Sequence, residues 1–498
     1  MEQIINSKSK TFLAFCFCFL AGVFIASIMQ LQSGLLYLYL SLFISISLLI
    51  YFWRNKVVVF FVICVLCFVV GLARYVFAFP TTPLQEGEQT FTGIVSSEPD
   101  VRVDGVNYRI CILQSEICNL VKSGLYPRYN YGDELQVTCK LKKPDGMYYA
   151  RQGTFLSCER PDINRIGSGK GNFLMAKILA LKHIVAERVN RLWHEPQASF
   201  MAGLLYGYRG GLGDLNDLFN RTGVTHIVAI SGYNISIIAM VLCTICVQLY
   251  IPRKKAFWLV GTGIVLFVIF TGAGASVVRA GIMGLIVLFA KQIGRMSQAG
   301  RVLVFTAVLM CLQNPLVLVW DAGFQLSFVA TLGLVYLSPI VGNWIATSAS
   351  GLLAMTVAQK SLRGARNERR GNLFRFRSAV METFVATLSA IIATLPLILY
   401  QFGRLSIVAP IVNILILWTI PYIMLAGFLA VMASFIFYPL GKLISWLALL
   451  GLNYVIEIVK WFGSLFFAAV DLTIPAWLMF AMYVFMIYYV ARSEVVKL

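Results

Sequence analysis

Arg54-Asn-Lys56, followed by VVVFFVICVLCFVVGLARYVFAF from Val57 to Phe79, decides how this chain is built. The apolar run matches the ~20 residues that a helix needs to cross the hydrocarbon of a bilayer. It ends at Pro80, where the composition turns polar. Two runs of the same kind lie upstream, Thr11–Met29 and Leu35–Trp53. Lys8 and Lys10 precede the first, and no A-x-A-like cleavage site follows it. We read it as a retained helix rather than a removed signal peptide. Lysine and arginine favour the cytoplasmic side. Lys8/Lys10 and Arg54/Lys56 share a side only if the N-terminus is cytoplasmic. Residues 1–79 are therefore expected to form three transmembrane helices, which leave Pro80 onward outside.

The whole chain agrees with this reading. Of its 498 residues 59% are apolar and 13% charged, against roughly 45–50% and 25% in soluble domains. Mean hydropathy is +0.80. A string of soluble domains is excluded. The formal charge is +19. The positive-inside rule accounts for most of that excess, and a polyanionic ligand remains compatible with the rest.

Residues 80–171 are the one long polar stretch. Short alternating runs, Thr90–Val95, Tyr108–Leu113, Glu134–Lys140 and Thr154–Cys158, are separated by Asp104-Gly105, Tyr131-Gly132-Asp133 and Asp145-Gly146. Such spacing predicts a small β-barrel, with an OB-like barrel as the natural candidate. Eleven basic residues balance eleven acidic ones there, so only a local patch, Lys140, Lys142 and Lys143, is a candidate for phosphate contact. Four cysteines, Cys111, Cys118, Cys139 and Cys158, allow three full pairings. Cys139–Cys158 is favoured, because both lie on short predicted strands in an oxidising compartment. The other seven cysteines sit in apolar runs, and the pairs Cys64/Cys67 and Cys243/Cys246 read as packing residues. With three histidines in the chain, no multi-histidine metal centre is expected, and no cofactor.

Residues 172–223 carry an amphipathic helix, Asn172–Trp193, with Leu174, Ile178, Leu181, Val185, Val189 and Leu192 at helical spacing. It is too polar to span and is expected at the membrane interface; a linker helix packed on the barrel is the other reading. Residues 224–498 return to the membrane. Nine spans are expected, near Val224–Tyr250, Phe257–Thr271, Ala275–Ile293, Val302–Val319, Ala322–Ile345, Ala379–Tyr400, Val408–Phe435, Leu440–Ala468 and Pro475–Val490. Basic clusters at Arg253–Lys255, at Lys291, Arg295 and Arg301, and in an Arg363–Arg377 loop all then fall inside. The expectation is a polytopic α-helical membrane protein of about twelve spans, some of them re-entrant, with both termini cytoplasmic and an extracytoplasmic barrel.

Three polar groups interrupt the apolar spans. His226, Ser231, Asn234 and Ser236 head one helix, where an unpaired polar group in hydrocarbon costs on the order of 4–8 kcal/mol. Interhelical hydrogen bonding is the bland reading. Arg279 follows Thr271-Gly-Ala-Gly; an arginine in mid-span costs roughly 2.5–3.5 kcal/mol and must snorkel, pair or face a cavity. Asp321 and Gln325 open a further span in DAGFQLSF. Asp321 reads equally as a helix cap and as a functional group, and an Arg279–Asp321 ion pair is a third possibility. Arg279, His226 and Gln325 are expected to face one polar cavity. The glycine run Gly207–Gly213 lacks the strand and Lys-Ser/Thr of a phosphate loop. A His226/Ser231/Asp321 peptidase triad lacks a nucleophile elbow.

In AGLLYGYRGGLGDLNDLFNRTGVTHIVAISGYNISI, from Ala202, the chain resembles the competence domain of the ComEC-type DNA-internalisation family. ASVVRAGIMGLIVLFAKQIGR resembles the family's arginine helix, NPLVLVWDAGFQLSFVATLGLVYLSP its aspartate segment, and IIATLPLILYQFGRLSIVAPIVNILILWTIP its following span. GDELQVTCKLKKPDGMYYARQGTFLSCERPDI resembles its external OB-like domain. These occur in family order over about Gly93–Ile436. The family's second histidine is Asn234 here, and Tyr208 stands where a polar residue is usual. Many members continue into a metallo-β-lactamase-like domain; this chain has no such zinc motif, so that nuclease activity is not expected of it.

The resemblance implies an inner-membrane channel, not an enzyme, that passes single-stranded DNA into the bacterial cytoplasm during natural transformation. Its path would use His226, Ser231, Asn234, Ser236, Arg279, Asp321 and Gln325, with Arg363, Arg366, Arg369 and Arg370 as further phosphate contacts. It also implies an extracytoplasmic DNA-binding partner and a cytosolic motor or single-strand-binding protein. A secondary transporter of a small anionic solute, built on broken helices, is the alternative. Alkaline phosphatase fused at Asp145 is expected to be active; an inactive fusion at normal expression would refute the outside placement.

Overall fold

The computed structural model describes residues 7–31, 54–79, 86–102, 105–112, 117–143, 149–208, 210–228, 232–292, 299–348 and 368–493, with a few positions of 44–52. They form two compact units. One comprises Met1–Arg191, Tyr206–Gly211 and Ile230–Phe324; the other comprises Leu192–Leu205, Leu212–Ala229 and Gln325–Leu498.

In the first unit the helices Lys8–Met29 and Lys56–Val76 cross with their backbones in contact. A Cβ at Gly22 would lie 2.1 Å from the carbonyl oxygen of Phe68, and one at Gly71 2.3 Å from that of Phe19. Two glycines facing each other permit this approach, which replaces the hydrophobic driving force that lipid removes.

The polar stretch folds as β1 (Gly87–Val95), β2 (Asp100–Arg102), β3 (Gly105–Ile112), β4 (Cys118–Ser123), β5 (Glu134–Lys142), β6 (Thr154–Glu159) and β7 (Asp162–Gly167). Each of the four predicted runs falls on a strand. Pairing runs β1-β3-β4-β6-β5, and β5 returns to β1, so five strands close a barrel. β4 and β6 pair in parallel; the other ring pairings are antiparallel. β1 serves two neighbours: Gly93 pairs with Ile112 on β3 and with Leu135 on β5. A Cβ there would meet Ile110 at 2.6 Å, and glycine lets the strand turn this barrel corner. Alternate residues point inward, burying Val95, Tyr108, Ile110, Leu135, Val137 and Leu156 in one core. Cys139 and Cys158 are joined with Cα atoms 6.1 Å apart, and Cys111 is joined to its cross-strand partner Cys118.

Behind the barrel, the helix Phe173–Leu192 turns Lys182 inward, where Nζ meets Glu98 Oε2 at 2.6 Å. Leu174 and Leu181, part of the expected apolar stripe, are 61% and 53% exposed.

Among the described residues five helices are long and apolar enough to cross a membrane: Lys8–Met29, Lys56–Val76, Ala322–Trp344, Phe384–Gln401 and Tyr438–Gly463. Ala409–Leu417 and Ile420–Ile436, bent by 45°, make a sixth if taken together. Asn234–Gln248, Ser276–Ala290, Ala299–Gln313 and Ala476–Arg492 are apolar but shorter. The expected span Leu35–Trp53 lies outside the described residues apart from isolated positions. Several expected boundaries are corrected. Within the expected Val224–Tyr250, Thr225–Val228 and Gly232–Gln248 are helical. Val302–Val319 ends at Gln313, because Asn314-Pro315 cannot continue it. From Glu368 the expected arginine loop is instead the start of a helix reaching Gln401. Leu440–Ala468 stops at Gly463, freeing Ala469–Asp471 to pair with Arg404–Ser406.

The two disulfides leave seven cysteines free. Alkylation of unreduced protein from an oxidising host should add seven labels by intact mass. Eleven labels would contradict the barrel's cross-links.

Candidate functional site

Arg279 sits one turn into the helix Ala275–Gln292. The preceding Gly272 and Ala273 adopt φ of +84° and +50°, and the Ala273 amide donates to the Val268 carbonyl. This ends the helix Arg253–Phe270 and sets the new axis. The arginine side chain is buried, 9% exposed. It lies against the helix Gly232–Gln248: a Cβ added to Gly232 would be 3.7 Å from Arg279 Nη2 and 3.3 Å from the Ala280 Cβ. The guanidinium thus lies in ordinary van der Waals range of a side chain at this position, whereas the Ala280 methyl is the closer neighbour. Asn234, two residues on, is buried as well, whereas Ser236 is exposed and its hydroxyl donates to the Gly232 carbonyl at 3.1 Å. Arg279, Asn234 and Ser236 share the first unit. Ser231 lies outside the described residues.

His226 and Gln325 belong to the second unit. His226 is on the short helix Thr225–Val228, exposed, with Nδ1 3.3 Å from the Gly223 carbonyl. Gln325 Oε1 accepts a hydrogen bond of 2.5 Å from Gln401 Nε2. Gln401, at the end of the long helix, was not singled out in the sequence, although it lies in the segment that resembles the competence family.

Asp321 corrects the expected pairing. It is buried, and its carboxylate meets the guanidinium of Arg151 rather than that of Arg279. Its other oxygen accepts from the Phe324 amide at 3.1 Å, capping the helix Ala322–Leu332. Arg151 stands on the single turn Ala150–Gln152 that leads into β6. Asn314 donates to the Arg151 carbonyl while accepting from the Leu316 amide. Arg74 completes the junction: Nε and Nη2 donate to the Leu312 and Gln313 carbonyls, both at 2.7 Å, closing the end of the helix Ala299–Gln313. The barrel is therefore tied to its neighbouring helices by side chains that also finish those helices.

The lysine patch carries carboxylates among its cations. Lys143 bridges to Glu86 at 3.2 Å, and Lys140 is the cross-strand partner of Glu88. Glu159 is held below the usual carboxylate range by its hydrogen bond to Lys122, with Lys142 and Arg160 adding to the effect. Arg363 and Arg366 lie outside the described residues; Arg369 and Arg370 lie on the helix from Glu368. Among the described residues no group of three or more His, Cys, Asp or Glu could hold a metal.

Apolar membrane-length helices beside a closed β-barrel, with a buried arginine and an ion pair tying the barrel to a helix, define a membrane protein with a barrel domain. The chain belongs to the Competence protein family, whose sequence profile matches residues 204–495. It is similar to ComE operon protein 3 of Bacillus subtilis (strain 168), with 26% identity over 281 residues. That match takes in 54% of this chain and 32% of the relative, so the chain spans about a third of the curated protein it matches. No solved structure matches it.

Removing one partner of a buried ion pair strands the other and costs about 3–5 kcal/mol. Asp321→Ala should lower the thermal midpoint of the detergent-purified protein and speed proteolytic loss of the barrel. Arg151→Leu combined with Asp321→Leu should recover much of both. An unchanged midpoint in Asp321→Ala would show that the junction is not what secures the barrel.

Proposed function

We propose that the protein is a multi-pass channel of the bacterial cytoplasmic membrane that passes single-stranded DNA inward during natural transformation. Family membership supports a role in DNA uptake, and the observation that carries the channel reading is Arg279. Its side chain is buried against the helix Gly232–Gln248, on which Asn234 is buried as well. A charge retained among apolar helices at such cost serves a path or a partner, and a fixed cation suits phosphate. In this reading Asn234, Ser231 and Ser236 line the same path, and His226 and Gln325 offer neutral hydrogen-bonding groups. Asp321 is reassigned from the path to the barrel junction. No catalytic step and no cofactor are assigned.

The positive-inside pattern supports cytoplasmic termini, about twelve spans and an extracytoplasmic barrel. An OB-like barrel is supported by strand order. Counting only ring members, the order is 1-2-3-5-4-1, with the third and fifth parallel, as in a five-stranded Greek-key barrel. DNA entering a negative cytoplasm works against about 2.3 kcal/mol per charge per 100 mV of unscreened field. The channel therefore needs an external DNA-binding partner to deliver the strand and a cytosolic motor or single-strand-binding protein to draw it in.

One feature favours a second reading. The pair Ala409–Leu417 and Ile420–Ile436, bent by 45°, is the broken-span geometry of secondary transporters, which would carry a small anionic solute. A deletion strain separates the two: loss of labelled DNA from the cytoplasm supports the channel, whereas normal DNA entry with lost anion uptake supports the transporter. Losing one charged contact to phosphate, about 1.5–3 kcal/mol, should cut DNA entry roughly tenfold or more in Arg279→Met. Arg279→Lys should retain most of it. Normal entry in well-expressed Arg279→Met would end this assignment.

A further inference from the structure

The barrel's two disulfides sit in different settings. Cys139 and Cys158 belong to the closed core, 6% and 0% exposed. Cys111 and Cys118 face each other across β3 and β4. Tyr108 and Ile110 point into the core, so strand alternation turns Arg109 and Cys111 to the outer face. Cys111 is half-buried there. The two cross-links also differ in what they hold. Cys139–Cys158 ties β5 to β6 over a separation of 19 residues, whereas Cys111–Cys118 spans 7. Closing so short a loop removes the least freedom from the unfolded chain. Main-chain pairing of β3 with β4 runs from Val106 and Ser123 up to the two cysteines, and beyond them the Ile112 amide donates to the Ile117 carbonyl at 3.1 Å. The hairpin register is thus held on both sides of the sulfur bond.

The neighbours of this pair suit thiols. Ser96 Oγ lies 3.0 Å from Cys111 Sγ; a disulfide sulfur has no hydrogen to donate there, whereas a thiol has one. Arg109 Nη2 lies 3.7 Å from Cys118 Sγ. The Nε of this arginine is sealed from solvent without an acceptor. Burial pushes the guanidinium below its ordinary range, and among the described residues no carboxylate offsets that. A Cβ on Gly153 would lie 3.0 Å from Nη2, so the guanidinium rests close against the turn that leads into β6. A neutral disulfide offers this cation only a weak acceptor. A thiolate at Cys118 would offer it a full charge.

We propose that Cys111–Cys118 is a reversible thiol-exchange site, opened by an external dithiol of the C-x-x-C oxidoreductase class, while Cys139–Cys158 stays closed. The reductant's first thiol loses its proton to solvent, and the thiolate attacks the more accessible sulfur, Cys111 Sγ. A new sulfur–sulfur bond forms there, and the electron pair of the old bond leaves on Cys118 as a thiolate facing Arg109. The reductant's second thiol then closes the reductant's own disulfide and displaces Cys111, which takes that thiol's proton and donates it to Ser96 Oγ. The reductant is oxidised by two electrons, and the cysteine pair is reduced by the same two. Because the strands stay paired, the barrel keeps its ring and the pair can be oxidised again.

The full chain purified in detergent and kept folded is treated with a low concentration of reduced thioredoxin, then alkylated and read by intact mass and peptide mapping. The seven labels on the free cysteines should become seven plus two, with both new labels on Cys111 and Cys118. A count that stays at seven, new labels first on Cys139 and Cys158, or a single jump to all eleven cysteines would each overturn the site. Cys111→Ser combined with Cys118→Ser should hold at seven labels before and after treatment; labels gained by that variant would also overturn it. Arg109→Met should slow opening roughly tenfold, because the leaving thiolate loses its cation, and Arg109→Lys should restore most of the rate. Opening at the parent rate in folded Arg109→Met would remove Arg109 from the step.

Discussion

Asp321 has two carboxylate oxygens, and each secures a different level of the structure. One finishes a helix whose first amides would otherwise lack acceptors inside the membrane region; the other holds the arginine of a barrel turn. A carboxylate is costly to bury alone, and so is a guanidinium. Here each makes the other tolerable; the Phe324 amide donates to the second carboxylate oxygen, and Asn314 donates to the backbone carbonyl of Arg151. The position of the barrel beside the first and third hydrophobic runs follows from this pair together with the apolar packing of Ala26, Tyr75, Ala150 and Leu316 around it.

The same constraint, that polar groups cannot be left to lipid, organises the other sites. Arg74 answers the open carbonyls of Leu312 and Gln313, and Gln401 answers Gln325. Each solution uses a residue from a distant part of the chain. Helix packing repeats the theme: Gly22 and Gly71 let two backbones touch where no hydrophobic effect would press them together.

Much of the fold was legible because bilayer thickness and strand alternation are local properties. The runs Thr11–Met29 and Val57–Phe79 and the strands β1, β3, β5 and β6 follow from hydrophobic length or period. β4 was missed because Cys-Asn-Leu-Val is buried at four successive positions, Asn119 included, and shows no alternation. β7 was missed for the opposite reason, since its residues are mostly exposed. The candidate site was legible in its residues but not in its pairings. Arg279 and Asp321 both stood out as charges in apolar runs, and pairing them was the simplest inference. Arg151 gave no such signal, because one more arginine in a polar domain is unremarkable by composition. Its role depends on a contact across 170 residues of sequence, which neither period nor spacing records. Gln401 was hidden for a related reason, as a polar residue at a helix end needs no explanation until its partner is known.

The closed ring of the barrel has a bearing on how the chain is assembled. Closure requires β6 to reach both β4 and β5, and the turn that leads into β6 is the one that carries Arg151. A nascent chain therefore finishes its barrel and prepares its contact for Asp321 with the same short stretch. Because Asp321 emerges later in synthesis, the carboxylate can find a guanidinium already in position, provided the barrel has folded. An open barrel would leave that acid stranded as its helix enters the membrane. The ring and the ion pair together make correct folding of the barrel a precondition for stable insertion of the helix that follows Asp321.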